Sequence, residues 1–268
     1  MKPKKHQLQS DTQEPKPGAP QLAPVTRSHL LNALAHGWSD LCHAPKFGLA
    51  FSAFFVLIGW LLLYITVQTG TTFWLILAAF GFPLLGPFAA VGLYEVSRRL
   101  ETGQQLNWPS ILGVMLHQRT RSLPMMGAIV VVIFLFWFFL AHMIFALFLG
   151  LSTMTNISSS FAVFLTPNGL AMIAIGASVG AIFALLLFMI TVLGLPMVLD
   201  REVDFVTAMA SSFAYVAAHP LTMFGWAVLI ATITLASMLP LFLGLLVAMP
   251  ILGHASWHLY SSLVITSD

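Results

Sequence analysis

Apolar residues fill three long blocks of this chain, 47–94, 122–199 and 205–267, and none of the blocks contains a formal charge. The hydrocarbon core of a bilayer takes about 20 apolar residues of helix. Each block is long enough for two spans and a turn. The pattern predicts helices over roughly 47–67, 72–97, 124–149, 168–195, 221–239 and 241–262. The expected fold is all-α and polytopic, with six transmembrane helices arranged as three hairpins. Polar residues mark a short turn at 68–72 and a longer loop at 150–167, and Pro240 marks a tight turn between the last two spans.

The segments ahead of the blocks carry a helical period of their own. Leu31, Leu34, Trp38 and Leu41 share one face of 28–43. Ile111, Leu112, Met115 and Leu116 do so in 109–121, and Val206, Met209, Phe213 and Val216 in 203–218. Such stretches predict short amphipathic helices lying on the cytoplasmic membrane surface. Each stops near a proline (Pro45, Pro124, Pro220), and a further proline falls in the second span of each hairpin (Pro87, Pro196, Pro250). A unit of surface helix, proline, span, turn and span therefore recurs over about 28–99, 109–201 and 203–262. It predicts a pseudo-threefold packing of three hairpins within one domain, 28–265. Residues 1–27, rich in Pro, Gln and Lys, read as a disordered cytoplasmic tail.

Charge adds sidedness. The 11 Lys and Arg residues fall in three places: before the first block, between the first and second hairpins (Arg98, Arg99, Arg119, Arg121), and at Arg201. Two spans return the chain to the side it left, so one face of the membrane holds every cation. The positive-inside rule makes that face cytoplasmic, with both ends of the chain there, in an inner (plasma) membrane. Composition agrees: 7% of the 268 residues are charged and 59% are apolar, and the mean hydropathy is +0.92. Lipid is the expected partner, with another membrane protein complex as a second. A net charge of +2 gives no footing for nucleic acid. One cysteine, Cys42, excludes an internal disulfide and a cysteine-based metal site within one chain.

Several strings resemble a bacterial family of predicted integral membrane proteins that carries a domain of unknown function. They are Gly86–Arg98, Asp200–Met209, His219–Pro220 and Gly253–Tyr260, and the resemblance extends over about 30–265. It implies an inner-membrane protein. Some members of that family bear a loose label as cytochrome c oxidase subunits, and the family brings no functional residues with it.

Candidate chemistry is sparse. His254 and His258 stand one helical turn apart, a spacing that lets two imidazoles face one metal ion. If the repeat holds, Glu95 and Asp204 approach them from the other two hairpins, giving a polar cluster for a divalent metal or a proton relay. The competing reading sends these side chains to water at helix ends, with Glu95 paired to Arg98 or Arg99 and Asp204 capping 205–218. Position 255 is alanine, so the zinc-protease arrangement is absent. Gly176, Ser178 and Gly180 fit both a nucleophile elbow and a small-residue packing motif. Inside an apolar helix the packing role is the better reading, although Ser178 with His254 or His142 would be the dyad of an intramembrane hydrolase. Trp60, Trp74, Trp137, Trp226 and Trp257 read as interface anchors or packing. The reading is a non-enzymatic membrane protein, a permease-like unit or an accessory of a membrane complex. A metal- or haem-handling helper of a respiratory oxidase comes second and an intramembrane hydrolase third. No cofactor is specified.

Overall fold

The computed structural model describes residues 16–69, 75–118, 122–150 and 161–265. Side chains are described within these ranges except at 16, 75–84, 161 and 162. The start of the expected tail (1–15), the rest of the first turn, Trp74, Arg119, Arg121 and most of the 150–167 loop lie outside the described residues.

Ten α-helices follow in order: α1 (Arg27–His43), α2 (Pro45–Thr69), α3 (Leu75–Glu101), α4 (Trp108–Gln118), α5 (Leu123–Leu149), α6 (Pro167–Thr191), α7 (Gly194–Asp200), α8 (Phe205–Ala218), α9 (Pro220–Met238) and α10 (Leu245–Leu263). The prolines set the boundaries for a local reason. A proline lacks the N–H that a first turn leaves unused, and it bars the residue before it from helical geometry. Pro45 and Pro220 are accordingly the first residues of α2 and α9, and Ala44 and His219 are the non-helical hinges before them.

The fourth run is broken. Pro196 has no N–H for the carbonyl one turn back, so α6 ends at Thr191 and α7 begins at Gly194. Ser212 of α8 repairs the break: its Oγ accepts from the Leu193 N–H at 3.2 Å and donates to the Met189 carbonyl at 2.7 Å. Its side chain is fully buried there.

Four helices among the described residues are long and apolar enough to cross a membrane: Pro45–Thr69, Leu123–Leu149, Pro167–Asp200 and Pro220–Met238. α10 is 19 residues long, but its histidines and serines leave it too polar to join them. Its place in the molecule explains the polarity. α10 lies inside the bundle, packed on by α1, α2, α3, α7 and α9, and its inward residues from His254 to Tyr260 are buried, Ser256 partly so.

The three short helices each lie on the long helices of another set. α4 packs on α3, α8 on α6 and α7, and α1 on α10. The first long helices follow the same rule in two sets, α2 on α10 and α5 on α3.

The sequence expectation needs correcting at α1. Its buried face is Ala33, Gly37, Asp40 and Leu41, while Leu31 and Trp38 are 66% and 55% exposed. A Cβ on Gly37 would stand 2.5 Å from the Ile251 carbonyl oxygen and 2.9 Å from the Ala255 nitrogen. Only glycine lets the α1 and α10 backbones come so near. α1 is thus an integral part of the bundle, with Leu31 and Trp38 turned outward while Leu41 is buried and Leu34 packs against the core.

The segment before α1 is also packed. Lys16 and Pro17 pair in parallel with Arg201 and Glu202. Leu22 bridges Val264, and the Ala23 carbonyl accepts the Tyr215 hydroxyl at 2.6 Å. Val25 is buried. The packed chain therefore starts well before residue 28. Burial pushes the Tyr215 phenol up to about 12, so it stays a donor at physiological pH.

At the opposite end of the bundle, the turn between α9 and α10 holds two non-glycine residues in the left-handed region, Leu241 (φ 50°) and Phe242 (φ 67°). Each costs about 1–2 kcal/mol of backbone strain. The Trp60 indole donates to the Leu241 carbonyl at 2.7 Å and helps to hold the turn. Trp226 and Trp257 are buried core residues rather than anchors.

Candidate functional site

Where α1, α3 and α10 meet, the structure assembles a hydrogen-bonded polar centre. His258 lies between two carboxylates: Nε2 is 2.7 Å from Asp40 Oδ2 on α1, and Nδ1 is 2.8 Å from Glu101 Oε1 on α3. Carboxylates only accept, so both ring nitrogens carry hydrogen and the ring is an imidazolium. One turn earlier, His254 Nδ1 is 2.8 Å from Ser97 Oγ. The Ser97 hydroxyl also helps to hold the Asp40 carboxyl low. Two hydrogen-bonded groups therefore stand one turn apart, His254 with Ser97, and His258 with Asp40 and Glu101. Glu101 gathers two more donors, Trp257 Nε1 at 2.8 Å and Ser261 Oγ at 3.0 Å. The His36 ring stands 5.1 Å from His258.

Burial alone would raise the Asp40 carboxyl, but the hydrogen bond from His258 and the Ser97 hydroxyl hold it below the usual range. It is the only carboxylate on the face that α1 buries, and it lies one turn beyond Gly37. The close backbone approach and the ionic contact belong to the same seam. His254 Nε2 is buried without a partner.

The four residues singled out from the sequence separate. His254 and His258 enter this centre. Glu95 is fully buried and is held by its own helix, with Arg98 Nη2 at 2.7 Å and Arg99 Nε at 2.6 Å. Asp204 is the N-cap of α8, accepting the Thr207 N–H at 2.9 Å. The Thr207 side chain, and then its backbone N–H, lower the Asp204 carboxyl below the ordinary range. Both carboxylates follow the structural reading of the pair offered by the sequence. Among the described residues no three His, Cys, Asp or Glu side chains gather as a metal site. His258 has no free nitrogen to offer one, and the two imidazoles have different partners.

Asp40, Ser97 and Glu101 are the members that sequence reasoning missed. A signal was present: Ser97 and Glu101 are four apart on α3, as His254 and His258 are on α10, so two ladders of equal spacing meet rung to rung. A second link joins α10 to α7. The Tyr260 hydroxyl donates to Asp200 Oδ2 at 2.9 Å, and the same oxygen takes Arg201 Nε at 3.0 Å.

The small-residue motif on α6 is half used. A Cβ on Gly180 would meet Trp137 Nε1 of α5 at 3.2 Å, whereas one on Gly176 would meet nothing within 4 Å. Ser178 is exposed and donates to the Ala174 carbonyl of its own helix, and His142 bonds the Phe138 carbonyl of its own. Neither is hydrogen-bonded to the other or to His254.

Long apolar helices around a polar seam define the class: this is a helical integral membrane protein. Residues 75–200, from α3 through α7, match the model of a family described as predicted integral membrane protein (DUF2189). That is the family of unknown function which the sequence strings resemble, and the Gly86–Arg98 string lies within the matched range. No curated protein and no solved structure matches the chain.

Proposed function

We propose that this chain is a non-enzymatic multi-pass protein of the inner membrane and an accessory of a larger membrane complex. The carrying observation is the contrast between its polar and apolar groups. Asp40, His258, Glu101, Glu95 and Asp200 are all engaged within the chain. The spans of α5 and α9, by contrast, have only 6% and 11% of their apolar windows buried. Helices so lightly packed are open to lateral contact with another membrane protein. A hydrolase would need Ser178 activated, and a metal helper would need a donor set. A permease-like unit would need a polar route, whereas two cavities among the described residues are lined almost wholly by apolar side chains.

A photo-crosslinking side chain placed at Phe136 or Leu147, which are 59% and 74% exposed, tests the accessory role in living cells. The expected product is one protein adduct of discrete mass, seen from both positions. Adducts to lipid alone would overturn the reading.

The membrane arrangement proposed with it has six spans, with α3 and α10 completing three hairpins, and keeps Lys, Arg and both ends in the cytoplasm. It is supported by the three charge-free blocks and by the cyclic order in which α1, α4 and α8 lie on the preceding sets. That order also supports the pseudo-threefold repeat. Native Cys42 is exposed at the α1 end, and Tyr64 is 62% exposed near the far end of α2. In intact cells a membrane-impermeant maleimide is expected to label Tyr64→Cys and to leave Cys42 unmodified until the cells are permeabilised. The reverse pattern would invert the arrangement.

A further inference from the structure

A cavity of about 440 Å³ opens between α2, α3, α9 and α10, around the strained turn and away from the polar centre. Phe55, Leu62, Met238 and Phe242 help to line it, and the Thr234 hydroxyl is its one polar side chain. Two wall positions are glycines in mid-helix, Gly59 on α2 and Gly86 on α3. Glycine weakens a helix relative to alanine, and within membranes its usual return is a close approach by a neighbour. Gly37 shows that use against α10. Gly59 and Gly86 do not: a Cβ on either would meet nothing within 4 Å. Two helices thus keep bare backbone facing space that no part of the described chain fills.

The surroundings narrow the occupant. Water needs polar partners that the lining does not provide. A passing helix is too large: one turn with its side chains fills roughly 420 Å³, taking a 10 Å diameter and a 5.4 Å pitch. The cavity has room for about one such turn, where a span needs five or more. The cavity is open on one side rather than enclosed, and Leu63 and Met238 in its wall are 39% exposed. The space is therefore continuous with the lipid-facing surface, and hydrocarbon is what lies there.

We propose that the cavity is an acyl-chain site, in which one hydrocarbon tail of a bilayer phospholipid lies along Gly59 and Gly86 beside Phe55 and Phe242. The proposal rests on α2, α3, α9 and α10 lying in the bilayer and not on which side of it is cytoplasmic. Topology labelling therefore fails or succeeds independently of it. The tail supplies the contacts the lining otherwise lacks, and its headgroup stays outside at the membrane boundary.

The test uses the full chain, purified in mild detergent and washed in a delipidating one. Native mass spectrometry is expected to show one retained phospholipid per chain, lost in the cavity-filling variants Gly59→Leu and Gly86→Leu and kept in Gly113→Leu on α4. A second measurement uses the unaltered protein, so that misfolding of a filled variant does not decide the outcome. Phosphatidylcholine with a diazirine in its tail is expected to crosslink the Phe55–Leu63 and Thr234–Met249 segments at least fivefold over the exposed face of α5. Retention unchanged by filling, crosslinks spread evenly over all lipid-facing helices, or a second protein chain in place of lipid would each overturn the proposal.

Discussion

Replacing His258 with glutamine is expected to remove about 3 kcal/mol of stability, the usual scale for breaking a buried ion pair from one side. His258 and Asp40 are 8% and 10% exposed at their side chains, so solvent does little to screen the loss. A glutamine amide donates from one end only. It can serve Asp40 or Glu101 but not both, and it carries no charge between them. Two carboxylates would then confront each other across the α1–α10–α3 seam. Glu101, at 34% exposure, relaxes toward water and softens the effect. The measurement is thermal unfolding in micelles, and the Asp40→Asn/His258→Gln double variant sharpens it. Removing the second charge is expected to restore part of the loss, so the double variant melts above His258→Gln alone. A double variant that falls by the sum of the two single losses would show that the pair is not coupled. The pH dependence follows from the lowered Asp40 carboxyl. A group depressed on folding stabilises the native state at pH values above its unfolded value, near 3.8, and that stability drains as the pH falls through the folded value. The native protein should therefore lose an acid-sensitive component that Asp40→Asn lacks.

The second large effect is expected at Gly37. Valine there would drive its Cβ into the Ile251 carbonyl and the Ala255 nitrogen. Backbone atoms in the middle of a buried helix cannot step aside, so α1 must. Overpacking of this kind costs about 1–3 kcal/mol where side chains can adjust. The loss should exceed that here, because lifting α1 also withdraws Asp40 from His258. The matched control is Gly225→Val on α9, where a Cβ meets nothing within 4 Å. Protease sensitivity within α1 reports the outcome. Gly37→Val is expected to expose it to cleavage, whereas Gly225→Val protects it as well as the native chain does. Equal protection in both would remove the close approach as the reason for glycine.

These two positions also show what could be read from the residues in order. The helical runs were legible because prolines and charges punctuate them: Pro45, Pro124 and Pro220 stand at or next to the first residue of α2, α5 and α9. The His254–His258 spacing pointed to the right stretch of α10. The partners were less visible because periodicity ranks residues by hydrophobicity, whereas helices in lipid pack by smallness. Of the expected face of α1, Leu34 and Leu41 do turn inward and Leu31 and Trp38 do not, while the small residues Ala33 and Gly37 and the carboxylate Asp40 complete the contact. Glu95 and Asp204 carried two readings each, and local bonds within three or four residues decided both. The one visible hint that Glu101, at the last position of α3, would lie beside α10 was the four-residue spacing that Ser97–Glu101 shares with His254–His258.

The seam between α1 and α10 joins positions 218 residues apart, and the short pairing of Lys16 with Arg201 and of Leu22 with Val264 closes the same circuit. Contacts of such separation form late, since the chain between them must first be in place. During synthesis, α1 leaves the ribosome carrying an unpaired carboxylate and a bare glycine groove, and it waits for nearly the whole remaining chain before either is covered. A nascent chain that stops short of α10 leaves that face open. The buried face of α1 is thus covered only after α10 has been made.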